Sequence, residues 1–455
     1  VVNSYLNPVL TKYIDNITRQ LHSGSSIRLL TSAGGLVEAE SFCGRDSILS
    51  GPAGGVIGFS SVAKQAGFAK AIGFDMGGTS TDVSRFDGEF EYEYETQKAG
   101  VRIVTPMLAI ETVAAGGGSI CRFDGIKLTV GPQSAGSVPG PACYGAGGPL
   151  TVTDLNLVLG RILPDQFSIP LDHAAANNRL KELCKQIEET TGYIYRIHDL
   201  AEAFLSIANH NMSQAIGNIS VAKGYDPADY VLVNFGGAAA QHACGVANLL
   251  NISTILNHPD AGILSAYGMG QASVKRQGDL GIYKELDQEL FVNLAEQVYQ
   301  TTNTLQRQII REGYTPTDIS IRIVAEIRPR GVNATLQIPI IESPVMSFVW
   351  KVDAAAITSM FQVSHLQRYG FEHSQPLELV TLRIEATGDS GTPASHSTEP
   401  PTHECTSTVT TPVFHNGRWY EAQRFQRSEL SSGTLIAGPA IVTEQLSTTF
   451  IEPGW

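Results

Sequence analysis

The hydrophobic and polar positions of this chain follow two different patterns. In the first part, apolar residues recur at helical spacing over residues 3–21, 174–190 and 199–217, which predicts three amphipathic helices. Short apolar runs between them end in glycine turns, a pattern typical of buried strands that lead into helices. This alternation of strand, glycine turn and helix predicts an α/β layer architecture.

Shorter elements complete the prediction for the first part of the chain. Strands are expected at residues 26–31, 69–72, 81–86, 90–94, 230–235 and 251–256, and helical segments at 36–45, 50–66 and 155–163. Residues 131–149 are rich in glycine and proline but otherwise small and apolar. Because flexible linkers are usually polar, we expect this stretch to be an ordered loop.

The pattern changes in the last third of the chain. A polar helix is predicted over residues 289–312, and strand-like alternation follows at 319–323, 334–338 and 377–386. A low-complexity loop spans residues 387–408, and short β-like runs continue to Phe450. The change predicts an α/β domain of residues 1–285 and a smaller, β-rich α+β domain of residues 286–455 that is incomplete at its C-terminus.

The candidate chemistry concentrates in the glycine turn of residues 73–83. The turn contains two carboxylates, two glycines and two threonines: Asp75, Gly77, Gly78, Thr79, Thr81 and Asp82. Backbone N–H groups and hydroxyls in such a turn hold phosphate oxygens, and a carboxylate such as Asp75 holds hydrated Mg²⁺. The segment is therefore predicted to bind nucleotide phosphates with Mg²⁺, with Asp75 and Asp82 as candidate catalytic residues.

The sequence of this turn also allows other interpretations. Residues 75–81 could form a plain polar hairpin, and Asp82 could simply cap the turn. The chain contains no G-x-x-x-x-G-K-[ST] sequence, which excludes a P-loop. It also lacks a G-x-G-x-x-G turn after a strand with a downstream acidic residue, which argues against a dinucleotide-binding fold.

Glycine pairs follow predicted strands at two further places, Gly34-Gly35 and Gly236-Gly237. Close packing of a helix on a sheet can by itself require glycine, so one such pair is weak support for a ligand site. A carboxylate-bearing phosphate turn with a later strand, glycine pair and helix matches the arrangement of actin-like and sugar-kinase-like ATPases. Gly236 and Gly237 are therefore predicted to contact the nucleotide.

Two other groups of residues carry candidate chemistry. Cys143, Asp154 and His242 have side chains that suit Zn²⁺, although their spacing carries no metal signature. A packed core thiol and a hydrogen-bonded structural histidine are the alternatives. Glycines 116–118 form either a nest of N–H groups that binds an anion or a tight turn.

Composition narrows the class of protein. The 455 residues include 31 Lys and Arg against 44 Asp and Glu, a net charge of −13, which argues against nucleic acid or an anionic membrane as partner. No apolar stretch approaches the ~18 residues of a membrane span. Six scattered cysteines without a CxxC pair favour a reducing, cytoplasmic location. The chain begins without methionine, and we expect it to be a segment of a longer polypeptide.

A series of motifs in order carries a family resemblance. They lie at residues 50–56, 73–84, 112–119, 130–136, 139–144, 151–156 and 235–243, with two more at 438–442 and 447–455. Together they resemble the hydantoinase A / 5-oxoprolinase family across nearly the whole chain. The resemblance implies an actin-like ATPase fold (sugar kinase/Hsp70-like) without its N-terminal lobe, which would carry an earlier Asp-x-Gly-Gly-Thr motif.

The resemblance also implies a reaction. Family members use ATP to phosphorylate a cyclic amide or ketone, and a hydantoinase B-type subunit or fused domain completes ring opening or carboxylation. The nearest type is 5-oxoprolinase, in which 5-oxoproline becomes glutamate and ATP becomes ADP and phosphate. We expect Mg²⁺ as cofactor and an oligomeric assembly.

The substrate is less well defined than the family. Residues 328–336 resemble the 5-oxoprolinase version of this segment, but Pro329 replaces an aromatic residue, and Val332 and Asn333 replace Thr-Asp. An ATP-dependent hydantoinase and a ketone carboxylase subunit remain alternatives. A non-catalytic, ATPase-like assembly module is a further alternative of a different class.

Overall fold

The computed structural model describes residues 2–22, 24–98, 100–389 and 401–455. The α-helices in these residues are α1 (Val2–Thr18), α2 (Ser50–Gln65), α3 (Val152–Val158), α4 (His173–Thr191), α5 (Ile197–Ile219), α6 (Ala243–Leu250), α7 (Leu264–Gln271), α8 (Gln288–Arg311) and α9 (Ala354–Tyr369). None of the helices placed in these ranges is both long enough and apolar enough to cross a membrane.

The strands fall in two halves along the chain. The first eleven are β1 (Arg28–Leu30), β2 (Leu36–Glu38), β3 (Lys70–Met76), β4 (Thr81–Asp87), β5 (Tyr92–Lys98), β6 (Val101–Leu108), β7 (Glu111–Val113), β8 (Ser119–Phe123), β9 (Leu128–Ser134), β10 (Val231–Phe235) and β11 (Ile255–Asn257). The others are β12 (Val274–Glu285), β13 (Ile319–Pro329), β14 (Leu336–Pro344), β15 (Leu377–Gly388), β16 (His403–Glu404), β17 (Thr410–His415), β18 (Arg418–Gln426), β19 (Thr434–Leu435), β20 (Ala440–Thr443) and β21 (Thr448–Ile451).

These elements fold into two compact units, each assembled from separate stretches of chain. The first unit takes the described residues of Val1–Ser50, Tyr94–Met107 and Ala272–Ala394. The second unit takes those of Gly51–Glu93, Leu108–Gln271 and Ser395–Trp455. Each unit therefore draws on residues from both sides of position 285.

The first unit is built on a six-stranded sheet in the order β1-β2-β12-β15-β13-β14. Helix α8 begins where the Asp287 side chain accepts a hydrogen bond from the Leu290 amide at 2.7 Å, a typical N-cap. The apolar stripe of α8, including Phe291 and Val298, is buried with the inward residues of β13 and β15. This amphipathic helix and the alternating strands confirm the α+β pattern read for residues 289–386.

The second unit contains a five-stranded sheet in the order β11-β10-β3-β4-β7. Strand β10 runs parallel to β3 and β11, whereas β4 is antiparallel to β3. Helix α2 lies close to this sheet because its glycines and the one glycine of β3 leave room. A Cβ on Gly73 would lie 2.3 Å from Phe59 Cδ1, and one on Gly55 would lie 2.8 Å from Phe235 Cε2.

The last strands of the chain also belong to the second unit. Strands β17, β18, β20 and β21 form a four-stranded sheet. Its inner residues Val413, Ile441 and Phe450 are buried together with Leu163, which follows α3. Phe414 of β17 belongs to the main core of the unit.

Most of the predicted elements are confirmed, with shifted ends, and one is wrong. Residues 36–45 were expected to be helical, but Leu36–Glu38 is strand β2, paired antiparallel with β1. Of the predicted loop 131–149, the first four residues belong to β9 and the rest forms an ordered loop, in which Cys143 is fully buried. The predicted low-complexity loop 387–408 falls largely on residues 390–400, which lie outside the described residues.

Candidate functional site

The phosphate turn predicted from the sequence joins β3 and β4. These strands pair in register, with Asp75 opposite Asp82 and Met76 opposite Thr81. The Gly77 amide donates to the Ser80 carbonyl at 3.1 Å and closes the turn. The segment thus has the hairpin geometry that the sequence left as an alternative, and its phosphate role stays a prediction.

The turn carries backbone N–H groups that the fold does not use. The amides of Gly78, Thr79 and Ser80 donate to no acceptor among the described residues. Gly77, Gly78 and Thr79 are exposed. Consecutive free amides in an exposed glycine turn provide the donors that an anion such as phosphate requires.

The glycine loop 116–118 supports this turn and does not form a second anion site. The Gly117 amide donates to the Gly77 carbonyl at 3.0 Å, and the Gly118 amide to the Gly78 carbonyl at 2.6 Å. The Gly116 amide donates to Ser119 Oγ at 2.8 Å. All three amides are occupied, so the tight-turn interpretation is correct and the anion-nest interpretation is wrong.

Only glycine fits at the point of closest approach between this loop and the phosphate turn. A Cβ on Gly116 would lie 2.6 Å from the Ser80 nitrogen and 2.7 Å from the Thr79 nitrogen, far inside van der Waals contact. The 116–118 loop therefore fixes the position of the backbone of residues 77–80.

The two threonines of the turn have different roles. Thr81 is fully buried, and its Oγ1 donates to the Ala115 carbonyl at 2.5 Å. Its hydroxyl proton is therefore committed to the fold, whereas the sequence assigned it to a phosphate. Thr79 is exposed at the turn, so it is the more accessible of the two threonines.

The Asp75 carboxyl has a strongly raised pKa at this end of the sheet. Its carboxylate receives no hydrogen bond from any described residue. Burial and, secondly, the charge of Asp82 raise the pKa of Asp75 to about 7. A carboxylate without protein donors beside a second carboxylate attracts a cation.

The glycine pair after β10 approaches Asp75 directly. Phe235 lies opposite Asp75 in the parallel pairing of β10 with β3. Gly236 follows with a φ of +81°, and a Cβ there would lie 2.4 Å from Asp75 Oδ1. The Gly236 amide donates to the Ala261 carbonyl at 2.9 Å, while Gly237 is exposed. The structure thus brings together Asp75, Asp82 and Gly236, three of the residues singled out in the sequence, and their ligand roles stay predictions.

The zinc prediction for Cys143, Asp154 and His242 is not supported. Across the described residues there is no group of three His, Cys, Asp or Glu side chains placed to hold a metal ion. Asp154 is fully buried and accepts four hydrogen bonds, from the amides of Ala142, Cys143 and Thr151 and from Thr151 Oγ1, at 2.7–3.1 Å. Burial and the Asp154 charge also raise the pKa of the Cys143 thiol, which keeps it protonated.

His242 is a structural histidine, as the alternative interpretation held. Its Nδ1 lies 2.7 Å from Asn209 Oδ1 and its Nε2 lies 3.1 Å from Asn156 Nδ2. Since an amide oxygen accepts and an amide nitrogen donates, the pair of contacts assigns the proton to Nδ1. Burial and, secondly, the Arg161 guanidinium lower the pKa of His242 to about 3.

Two polar residues near the same strand ends were not among the site residues predicted from the sequence. Asn234 is buried next to Phe235, and its Nδ2 finds no acceptor among the described residues. Asn257 lies opposite it on β11, donates from Nδ2 to Thr449 Oγ1 at 2.7 Å, and leaves Oδ1 unpaired. A polar residue inside the apolar run 230–235 was the available signal.

The arginines of the 5-oxoprolinase-like string are engaged in ion pairs. Arg328 Nε donates to Glu378 Oε2 at 3.0 Å. Arg330 lies 3.3 Å from Glu285 and 3.6 Å from Glu378. These pairs give both side chains a structural role within the first unit.

Comparison with protein families gives the class of the chain. The model of the hydantoinase/oxoprolinase family matches residues 1–278, and the model of the hydantoinase/oxoprolinase C-terminal domain matches residues 285–455. The chain belongs to the hydantoinase/oxoprolinase family.

Curated relatives are consistent with this family and are longer than the chain. A 5-oxoprolinase of Saccharomyces cerevisiae is 34% identical over 478 residues, which cover 100% of this chain and 36% of that protein. Caprolactamase subunit alpha of Pseudomonas jessenii is 30% identical over 480 residues, which cover 100% of this chain and 67% of that protein. The chain thus spans about a third of the length of the curated 5-oxoprolinases that it matches.

Two solved structures share the mixed α/β fold. The crystal structure of the ATP-dependent caprolactamase from Pseudomonas jessenii has a TM-score of 0.85 and 28% identity, covering 100% of this chain and 67% of that chain. A nucleotide-free acetone carboxylase structure has a TM-score of 0.73 and 22% identity, covering 98% of this chain and 64% of that chain. At that identity the acetone carboxylase shows the fold alone.

Proposed function

We propose that this chain is the ATP-binding, A-type part of an ATP-dependent cyclic-amide hydrolase of the 5-oxoprolinase type. The observation that carries the proposal is the Asp75 carboxylate, which no described residue hydrogen-bonds, beside the unoccupied amides of residues 78–80. Relatives named 5-oxoprolinase and caprolactamase give the substrate class, a lactam.

In this proposal the second unit is one lobe of an actin-like ATPase fold. The parallel strands β3 and β10 place Asp75 and Gly236 at the same edge of the sheet, and the β3–β4 turn projects from that edge. Ligands of α/β sheets bind at the carboxyl ends of the parallel strands. The arrangement supports a nucleotide whose phosphates lie on the turn and whose nucleoside lies toward Gly237.

The donor set fits Mg²⁺ better than Zn²⁺. Asp75 and Asp82 face each other as oxygen ligands, and no thiol or imidazole joins them in a described group of three. Asp75 would hold hydrated Mg²⁺ at this position. The ion would supply positive charge to the phosphate oxygens when bound.

The residues of the turn contribute position and electrostatics to phosphoryl transfer. The amides of Gly78, Thr79 and Ser80 would hold phosphate oxygens in place, and the 116–118 loop would keep those amides from shifting. Because the turn is fixed before the nucleotide arrives, little reorganisation is required at the reactive step. Asp82 acts on Asp75 through its negative charge, which raises the pKa of the Asp75 carboxyl.

The overall reaction balances with one ATP and two waters. The lactam oxygen attacks the γ-phosphorus of ATP, and the bond from that phosphorus to ADP breaks. Water then adds at the ring carbon that bears the phosphorylated oxygen. The carbon–nitrogen bond breaks, which opens the ring to a free amine and an acyl phosphate in the same molecule. A second water releases phosphate and leaves the amino acid, glutamate when the lactam is 5-oxoproline.

We further propose that the later steps require a B-type subunit or fused domain, because the relative from Pseudomonas jessenii is named as a subunit alpha. An oligomer containing both parts is expected. The six cysteines are all unpaired in the structure, which supports a reducing, cytoplasmic location.

The test uses the full-length protein together with its B-type part. ATP hydrolysis is measured with 5-oxoproline, caprolactam, hydantoin and an aryl ketone in turn. We expect stimulation by 5-oxoproline, and Asp75→Asn should lower that turnover by roughly 10²–10³-fold. Asp229→Asn removes an exposed carboxylate of the same unit and should leave turnover within about twofold.

Each outcome separates one part of the proposal from another. Stimulation by a hydantoin or an aryl ketone instead would contradict 5-oxoproline as the substrate but would retain the assignment as an ATPase. Full turnover in Asp75→Asn would remove Asp75 from the mechanism. ATP binding without turnover on any of the four substrates would favour the assembly-module alternative.

A further inference from the structure

A hairpin from the end of the chain lies beside the glycine turn after β10. Strands β20 and β21 are joined by residues 444–447. A Cβ on Gly262 would lie 2.5 Å from Leu446 Cβ, and one on Gly237 would lie 3.7 Å from the Leu446 carbonyl oxygen. Leu446 therefore stands next to both Gly237 and Gly262, within the second unit.

The tip of this hairpin is held in place by a chain of hydrogen bonds. The Glu444 amide donates to the Ser447 carbonyl at 3.0 Å, and Ser447 Oγ donates to Glu444 Oε2 at 3.0 Å. Arg427 donates from Nη1 to Glu444 Oε1 at 2.7 Å and from Nη2 to the Asn257 carbonyl at 2.8 Å. The tip is thereby fixed to the end of β11.

Leu446 is exposed although the backbone around it is fixed. Leu446 is 56% exposed, and Ile263, which follows Gly262, is 50% exposed. An aliphatic side chain on a rigid tip loses little conformational entropy when a flat ring packs on it. The Leu446 side chain, beside a glycine turn, offers an apolar surface to a flat heterocycle.

We propose that Leu446 packs against the base of the bound nucleotide and sets the affinity for ATP. The inference rests on the proposed function, in which the nucleoside lies toward Gly237. It adds a residue of the last β-hairpin to a site otherwise formed by the strand ends of β3 and β10. The contact is apolar, so it acts on the base and not on the phosphates.

The experiment compares three variants of the full-length protein with its B-type part. Leu446→Ser removes the apolar side chain, Leu446→Met retains it, and Leu249→Ser removes a leucine of similar exposure, 51%, elsewhere in the same unit. KM and kcat for ATP, the Kd of MgATP and the thermal midpoint are measured for each.

Burying most of a leucine side chain is worth roughly one factor of ten in affinity. We expect Leu446→Ser to raise KM and Kd for ATP about tenfold, with kcat within about twofold. Leu446→Met and Leu249→Ser should stay within about twofold of the wild type in every constant. The thermal midpoint should be unchanged in all three variants because both leucines are exposed.

Three results would overturn the inference. One is a Kd for Leu446→Ser within about twofold of the wild type, and another is an equal loss in Leu249→Ser. The third is a fall in kcat with unchanged KM, which would place the residue outside nucleotide binding. Failure of the wild type itself to bind ATP would instead contradict the proposed function, so the two failures are distinguishable.

Discussion

The β3–β4 turn and the buried cluster around Asp154 contain similar polar groups and use them in opposite ways. Asp154 receives four hydrogen bonds from the fold. Asp75 receives none from the described residues, and the three amides after Gly77 are unoccupied. The first carboxylate completes the structure, whereas the second has its binding capacity available for a ligand.

The difference shows why residue type alone is a poor guide to a site. Cys143, Asp154 and His242 have the right side chains for zinc, but their donors and acceptors are already paired within the protein. Buried polar groups are normally satisfied in this way, so an unsatisfied one near a sheet edge is the more informative observation. The predictions below test this contrast between the two regions.

The largest effect is expected on the stability of the Asp154 cluster. Asp154→Ala should lower the free energy of unfolding by about 4 kcal/mol, because three buried amides and the Thr151 hydroxyl lose their acceptor. Denaturant unfolding of the full-length protein measures the loss. Asp229→Ala, at an exposed position, should change stability by no more than about 0.5 kcal/mol.

The same variant also tests the zinc alternative. Elemental analysis of the wild type should find no stoichiometric zinc in this chain. Bound zinc that disappears in Asp154→Ala would contradict the structural role assigned to the cluster.

The second effect concerns the pH dependence from His242. Burial lowers the pKa of His242 to about 3, below that of an unfolded histidine, so the folded state resists protonation. The resulting stability is complete above about pH 6.5 and is lost as the pH falls toward 3. Between pH 7 and pH 4 the loss should be about 3 kcal/mol.

Urea unfolding at several pH values measures this slope. His242→Gln keeps a donor and an acceptor but does not titrate, so its stability should fall less over the same interval. Parallel curves for the two proteins would show that His242 does not resist protonation in the folded state.

The third effect is steric and concerns the glycine turn that contacts Asp75. Gly236→Ala places a side chain at a φ of +81° and within 2.4 Å of Asp75 Oδ1, which should cost about 2 kcal/mol. Gly67→Ala has a similar φ of +83° but meets no atom within 4 Å, so it should cost about 1 kcal/mol. Equal losses in unfolding experiments would mean that the approach to Asp75 is not tight.

The smallest effect has the opposite sign. Because burial raises the pKa of Asp75 to about 7, its ionised form is disfavoured in the folded state. Asp75→Asn removes that charge but leaves a partly buried amide without a protein partner, so the net stabilisation of the ligand-free protein should be only about 1 kcal/mol at pH 8. The gain should shrink as the pH falls and vanish below about 4, where the carboxyl is protonated in both states. A loss of stability at pH 8 would contradict the unsatisfied state of Asp75.

The position of the candidate site was predictable because local and global signals agree there. An apolar run before Asp75 forms β3, and the glycines after it form the turn. A second apolar run before Gly236 forms β10, and parallel pairing then brings the two strand ends together. In this chain, glycines after a buried strand therefore indicate the candidate site where the end of a second buried strand lies beside them.

Other features depended on contacts that the sequence does not display. Leu36–Glu38 became a strand because the preceding turn folds it back on β1, where Leu36 pairs with Leu30. Close contact favours this turn, since a Cβ on Gly35 would lie 2.6 Å from Lys275 Cβ. Likewise, the sequence around Thr81 does not indicate that its hydroxyl donates to the Ala115 carbonyl, more than thirty residues away.

The discontinuous second unit has a consequence for how the protein folds during synthesis. Arg161 is buried 3.9 Å from Glu452, and Leu163 packs against Val413 and Phe450, so both residues are synthesised long before their packing partners. Until β17–β21 have left the ribosome, the Arg161 guanidinium lacks its Glu452 partner and Leu163 lacks the residues it packs against. The sheet edge that carries Asp75 therefore reaches its final stability only after residues 410–451 have been synthesised, and nascent chains truncated before residue 410 should be preferred targets of chaperones and proteases.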